Sequence, residues 1–478
     1  MGRKIVRTAY LSQLDQIRYE DRARILIVYG RRRVGKTTLL EDAFAERRLL
    51  KFEGVEGQSA QYQKKLILDT LADASNNRAL SKVSASESSW IDVLRFIAEV
   101  VAAGEHTIYF EEVQWIANYD DEFVAALKYC WDNYFQKNPK LILILCGSSP
   151  SFMVKKVLKS KSLYNRAQHE LHVEQFSLHE MYEFLGERRN LKEIFDARLS
   201  VGGIPEYLNY LTSHSSVYLS LLHNSFRKGA FFATEYERIF VSSLAQKPEY
   251  RAVVEFLSKR AHATRDDIAA AISVKKGGGL SEVLRDLDLC GFIAAYRPLG
   301  STPNGKLVRY TIADNYAQFY ARFVAPLRVR IDSGEFDRHP ERALPLPDYE
   351  QWLGLSFERF CRRYPHLIAR VLGFDGIEYQ SGALFNRSSD PGFQIDLAFN
   401  RADKVLSLCE IKFGSSPITK QDATRALKRF EQATEIQGRP RTQRVLITAA
   451  DVSSDVSSGP YFDRIIRLNE IFDAERYF

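Results

Sequence analysis

The chain has little of what staples or anchors a protein. Its five cysteines (Cys130, Cys146, Cys290, Cys361 and Cys409) are an odd number without CxxC spacing, which argues against a disulfide framework or a cysteine zinc site and for a reducing compartment. The longest apolar runs, Ile25 to Tyr29 and Leu141 to Cys146, are strand-sized, far below the roughly 18 to 20 residues of a membrane helix. With no signal-peptide core at the N-terminus, a cytoplasmic protein without a membrane partner is expected. Charge of one sign is also missing: 67 Lys+Arg against 60 Asp+Glu leave a net +7, which permits contact with nucleic acid without demanding it. Repeats and low-complexity tracts are absent. What is present is the composition of an ordinary globular protein, 45% hydrophobic and 27% charged over 478 residues, long enough for about three domains with cores of their own.

Residues 1–150 alternate β-rich runs (Arg24 to Tyr29, Thr107 to Glu111, Leu141 to Cys146) with helical patterns, predicting an α/β unit with a mostly parallel sheet. Residues 151–245 read as a helical lid or connector broken by Gly202, Gly203 and Pro205. Residues 246–330 run helix, short helix, helix and two strands, the order of a winged helix-turn-helix. Prolines and charges in 331–350 break every periodicity and predict a linker. Residues 351–478 open helical, continue as a hairpin from Gln394 to Phe413, and end in a further helix and strand.

Gly30-Arg31-Arg32-Arg33-Val34-Gly35-Lys36-Thr37 matches G-x-x-x-x-G-K-[ST], directly between a predicted strand and a helical run from Thr38. Such a loop turns successive backbone N–H groups onto phosphates, and glycine lets the backbone come close. Lys36 is expected to bridge β- and γ-phosphates of ATP and Thr37 to ligate Mg²⁺. For Arg31, Arg32 and Arg33 two readings stand: contact with nucleotide or a neighbour, or a solvated charge run. A second acidic element fits Ile108-Tyr109-Phe110-Glu111-Glu112, an apolar strand ending in two acids, where Glu111 would hold Mg²⁺ through water and Glu112 would orient or deprotonate the attacking water. The alternative is two exposed acids capping the next helix. Ser148, after Gly147, is placed to sense the γ-phosphate.

The phosphate loop, with Phe110-Glu111-Glu112-Val113-Gln114-Trp115, Leu145-Cys146-Gly147-Ser148-Ser149, Leu163-Tyr164-Asn165-Arg166 and Gly202-Gly203-Ile204-Pro205-Glu206-Tyr207-Leu208, resembles the archaeal-type AAA+/STAND P-loop ATPases. The likeness continues through a winged helix to a domain similar to PD-(D/E)xK restriction-endonuclease-like nucleases. The resemblance implies an arginine-finger or sensor role for Arg166, preceded here by Asn165 rather than Gly, and with it a homo-oligomer. In the winged-helix stretch Thr264 would cap a short helix and Leu280 to Leu289 would form the next after a loose turn at Gly277 to Gly279. Arg265, Lys275, Lys276, Arg285, Arg297, Lys306 and Arg309 would face DNA phosphates if the module reads DNA rather than packing between domains.

In Leu406 to Phe413 alternate residues face opposite sides, so Glu410 and Lys412 share one face of a buried strand. Asp396, on the preceding strand, falls opposite or diagonal to Glu410. Two such carboxylates would hold Mg²⁺, and Lys412 would position water for attack on a phosphodiester. Glu358 resembles the additional acid of that nuclease fold. The bland alternative is a Glu410–Lys412 ion pair with Asp396 capping the turn. The expectation is thus an ATP-binding, ATP-hydrolysing protein controlling a Mg²⁺-dependent DNA nuclease. Its competitors are a nucleotide-switched DNA-binding regulator with an inactive nuclease fold, and an ATPase that remodels or scaffolds proteins.

Overall fold

A computed structural model describes residues 7–475 apart from 119, 161–162, 164–165, 187–188, 244–246, 275–276, 298, 300–307, 387–392 and 438–440. Lys275, Lys276 and Lys306, named above as phosphate contacts, and Tyr164 and Asn165 lie outside the described residues.

The N-terminal sheet consists of β1 (Arg24–Tyr29), β2 (Arg48–Glu53), β3 (His106–Glu111), β4 (Ile142–Gly147) and β5 (Ala167–His172), in the order β2-β3-β4-β1-β5 with every pairing parallel. Parallel strands need both faces covered, and the alternation supplies both. Ile25, Ile27, Ile108, Phe110, Leu143 and Leu145 meet helices on one side, and Leu26, Val28, Tyr109, Ile142 and Ile144 on the other. The order sets β4 between the strand that enters the phosphate loop and the strand that ends in Glu111, so all three carboxyl ends open to one crevice. The sheet does not close at residue 150 as expected. Its fifth strand, Ala167–His172, lies in the stretch read as purely helical, because an edge strand of sequence AQHELH carries no apolar run to announce it.

Helices dominate from Leu178 to Ser258. They are followed by a small antiparallel sheet of β6 (Ala263–Thr264), β7 (Ile293–Tyr296) and β8 (Arg309–Ile312), order β6-β8-β7, with helices Arg265–Ala271 and Gly278–Leu289 between β6 and β7. Thr264 caps the first of these as expected, in a reciprocal capping box with Asp267. The glycines expected to loosen the following turn instead start the second helix, which begins at Gly278.

The stretch 331–350, expected as a linker, is built into the core: Ile331, Phe336, Leu344 and Tyr349 are buried, and a long helix starts at Leu346. Proline broke the periodicity there without loosening the chain, since Pro340 and Leu346-Pro347 sit in first turns, where a missing N–H costs nothing.

The C-terminal sheet is mixed: β9 (Tyr379–Asn386), β10 (Phe393–Arg401) and β11 (Leu406–Lys412) run antiparallel, and β12 (Thr442–Thr448) and β13 (Arg464–Arg467) continue parallel to β11. One apolar core runs from Phe176 through the helical region and the small sheet into this sheet, with Phe195 edge-on to Phe357 and Phe360. Buried polar bonds cross the same boundary, Ser200 Oγ to Tyr349 Oη at 2.8 Å and Arg198 Nη2 to Tyr364 Oη at 3.2 Å. Among the described residues no helix is long and apolar enough to cross a membrane.

Candidate active sites at two sheet ends

The loop after β1 turns at Gly30 so close to the backbone of Val173 that a Cβ there would lie 2.1 Å from the Val173 carbonyl oxygen. It turns again through left-handed Arg33 and Gly35 (φ 70° and 88°) into the helix Lys36–Ala43. Arg33 pays for a conformation that favours glycine, the kind of local strain found where a loop is shaped for a ligand. The Lys36 ammonium is buried and donates to the carbonyls of Gly30 (3.0 Å) and Arg31 (2.9 Å), which holds it over the loop. Val34 packs into the core, and Thr38 is exposed on the first helical turn.

The arginines of the loop are not a solvated run. Arg31 forms an ion pair with buried Asp314 and lies 4.9 Å above the Phe292 ring. Arg33 reaches Glu235 (3.3 Å) and Glu206 (3.5 Å) and covers Phe231, while Arg32 is exposed. Two of the three side chains therefore tie the phosphate loop to the helical region and to the segment after β8, and of the two readings offered by sequence the contact with a neighbour is the one seen.

At the end of β3 the two acids point to different partners. Glu111 is buried and accepts the Thr37 hydroxyl, and Lys51 on the adjacent strand pairs with it at 2.6 Å. Thr37 and Glu111 thus converge as an all-oxygen pair of the kind Mg²⁺ takes alongside water and phosphate oxygens. The Tyr109 phenol is pushed upward in pKa by burial, with Cys146 and Glu111 adding to it. Glu112 has a left-handed backbone (φ 53°), and its Oε2 accepts from Ser148 N–H (3.0 Å), Ser148 Oγ (2.7 Å) and Gln114 Nε2 (2.5 Å). Glu111 and Glu112 are therefore not two exposed helix-capping acids. Ser148 stands beside Glu112 as its position after β4 requires.

Arg166 forms a two-pronged pair with Asp132 of the same chain, Nε to Oδ1 at 2.6 Å and Nη2 to Oδ2 at 2.9 Å. Sequence reading gave no role to Lys51 or Asp314, and named Gln114 only within the motif that carries the resemblance. Gln114 carried a faint signal, two residues beyond Glu112, whereas Asp314 lies 283 residues from Arg31 and carried none.

The second cluster lies where β10 and β11 pair. The β9–β10 register shifts between Ile395 and Ala398, a bulge that spans Asp396. Its Oδ2 accepts from Ile411 N–H on β11 at 3.1 Å. Burial, then the nearby carboxylates of Glu410 and Glu358, push the Asp396 carboxyl up to about 7. Glu410 is 2% exposed; its Oε1 accepts from Arg429 (2.7 Å) and forms an ion pair with Lys412 (3.1 Å), and its Oε2 is buried without a hydrogen-bond partner. Glu358, on the helix Leu346–Arg363, pairs with Arg362 at 3.5 Å, and Arg362 also donates to the Asp396 carbonyl at 3.2 Å. The structure therefore brings Asp396, Glu410, Lys412 and Glu358 into one neighbourhood. The Glu410–Lys412 ion pair of the bland reading is present there as well. The arginines Arg362 and Arg429 had no sequence signal. Among the described residues no group of three or more His, Cys, Asp or Glu is arranged to hold a metal by itself. At either site hydroxyl, water or substrate oxygens would have to complete the shell.

Residues 6–211 match a family described as an ATPase domain predominantly from Archaea. Across the longer chain, an uncharacterized protein, MJECL04, from Methanocaldococcus jannaschii is 25% identical over 403 residues, 84% of each chain. Among solved structures, the Walker-type ATPase PABY2304 of Pyrococcus abyssi superposes with a TM-score of 0.49 at 19% identity, covering 67% of this chain and 96% of that one. The ORC2 protein of Aeropyrum pernix gives 0.43 at 12% identity over 70% of this chain and 95% of its own.

Proposed function

We propose that the chain hydrolyses ATP at the first site and that its nucleotide state controls a Mg²⁺-dependent DNA nuclease at the second. The observation that carries the first half is the convergence of Lys36, Thr37, Glu111, Glu112 and Ser148 on the crevice of an ATPase-family domain. Lys36 and the loop N–H groups bind the phosphates, and Glu112 takes a proton from the attacking water. Mg²⁺ held by Thr37 and, through water, Glu111 would offset charge on the β- and γ-oxygens. Arg166 remains the candidate for stabilising a neighbour's nucleotide in a homo-oligomer, which would require it to leave Asp132.

The second half rests on the buried carboxylates Asp396 and Glu410 on adjacent strands, with an orphaned Glu410 oxygen that a cation would satisfy. A metal there would stabilise charge on a phosphodiester, while Lys412 positions water and Glu358 supplies a further acid. Control by the first site is supported by the continuous core from the helical region to the helix that carries Glu358. A restriction-endonuclease-like reading of the C-terminal part fits its helix, three antiparallel strands, helix and parallel strand.

A second reading, a nucleotide-switched DNA-binding regulator with an inactive nuclease fold, is favoured by the cations already on Glu410. The winged-helix reading of residues 246–330 leans toward packing: helix Gly278–Leu289 points Asp286 and Glu282 at Lys155 of the ATPase domain. Arg285 stays exposed for DNA.

Plasmid and single-stranded DNA cleavage by wild type, Asp396→Ala and Lys36→Ala, with Mg²⁺ and with or without ATP, separates these readings. The nuclease reading expects a loss of at least about 100-fold in Asp396→Ala and altered nucleotide dependence in Lys36→Ala. DNA binding without cleavage by wild type moves the conclusion to the regulator.

A further inference from the structure

Gln114 belongs to none of the roles assigned so far, yet it is fully buried beside Glu112 and Ser148. Its Nε2 donates to Glu112 Oε2 at 2.5 Å and to Ser148 Oγ at 3.1 Å, so one amide bridges the acid and the serine. Its Oε1 is buried without a partner, in a slot that exists because residue 147 is glycine: a Cβ there would lie 2.8 Å from that oxygen. A buried amide with an unpaired carbonyl costs free energy that a leucine or methionine would avoid.

All three hydrogen bonds to the Glu112 carboxylate end on the same oxygen, Oε2. Among the described residues Oε1 accepts none. The left-handed backbone at Glu112 fixes where the side chain leaves β3, and the three donors fix its rotation. We propose that Gln114 is a positioning residue for ATP hydrolysis, locking Glu112 through Oε2 so that Oε1 stays turned to the attacking water.

In that step a water O–H bond breaks and its proton passes to Glu112 Oε1. The water oxygen bonds to the γ-phosphorus, the bond from that phosphorus to the β,γ-bridging oxygen breaks, and ADP and phosphate leave. Ser148 shares both partners, so a γ-phosphate drawing on its hydroxyl leaves Gln114 and the Ser148 N–H to keep the acid in place.

The inference rests on Glu112 as the base, and the test keeps the two apart. Full-length wild type, Glu112→Gln, Gln114→Met and Gln114→Glu are compared for kcat, KM for ATP, the pH profile of kcat and thermal unfolding. Methionine keeps the volume and removes the donor, so kcat should fall about 10- to 100-fold with KM within about twofold, and the pH profile of kcat should change. Gln114→Glu sets a second carboxylate against Glu112 and should lose more at pH 8 than Gln114→Met. Hydrolysis lost in Glu112→Gln but unchanged in rate and pH profile in Gln114→Met overturns the role of Gln114 alone. A Gln114→Met enzyme that loses Tm and ATP affinity while its pH profile stays put shows a structural residue and overturns it too. Wild-type hydrolysis in Glu112→Gln removes the base, and this inference with it.

Discussion

The two acid sites sit at the ends of two sheets in one chain, and they hold their carboxylates by opposite means. At the N-terminal site Glu112 is held by a hydroxyl and two N–H groups without formal charge, and one oxygen is left open. At the C-terminal site Glu410 is nearly inaccessible and its oxygen is paired with two cations, Arg429 and Lys412. Neutral donors orient a carboxylate while leaving it reactive. Cations cancel its charge, and their removal leaves an ion buried. On the proposed reading, the difference separates a site organised for proton transfer from one whose charge balance would have to change before a metal and phosphate could enter.

The sharpest way to break this comparison is to remove a cation from the second site. Arg429→Met should lower unfolding stability by about 3 kcal/mol, because a buried carboxylate loses its closest counter-charge. Adding Glu410→Gln should restore most of it, and denaturant unfolding of the single and double variants measures both. An equal cost at a neutral-donor position would erase the contrast.

A smaller effect is expected where the two halves meet. Burial pushes the carboxyl of Asp196, on the helix Leu191–Val201, up to about 6 against the pull of Lys192. Folding then favours its protonated form: the stability it permits is full below the unfolded value near 4 and is lost as pH rises through about 6. Asp196→Asn should therefore stabilise the protein by about 1–2 kcal/mol at pH 8 and hardly at all at pH 4, read by thermal melts across pH. A pH-independent effect would show that burial does not govern this group.

The smallest stability change belongs to the first site. Ser148→Ala removes a neutral hydrogen bond and should cost about 1 kcal/mol or less, although it takes away a contact to the proposed base. Chemical unfolding beside an ATPase assay checks that stability and activity part company there, as they should if the site is organised for chemistry.

Much of the N-terminal α/β part was legible. The runs Ile25 to Tyr29 and Leu141 to Cys146 became central strands because parallel strands covered on both faces read as continuous apolar sequence. The phosphate loop was legible because the conformation it needs is local to eight residues. β5 was not: Ala167–His172 is polar, and its place in the sheet comes from pairing with β1. The linker reading of 331–350 failed because proline signals broken periodicity, and whether the broken stretch packs depends on what lies against Ile331 and Leu344. At the second site strand alternation predicted that Glu410 and Lys412 share a face. The bulge at Asp396 and the arrival of Arg429 from the helix Lys420–Gln437 were beyond any pattern.

By itself the sequence determined the phosphate loop, the acidic end of β3 and the hairpin that brings Asp396 and Glu410 onto adjacent strands, since each depends on backbone geometry over a few residues or across one short turn. Only the tertiary structure decided what the charges of those motifs are used for. Arg31 meets Asp314, Arg33 meets Glu235, and Gln114 bridges Glu112 to Ser148. A buried charge or amide must be satisfied by whatever group the packed fold delivers to it, and that group is set by the whole core rather than by its neighbours in the chain.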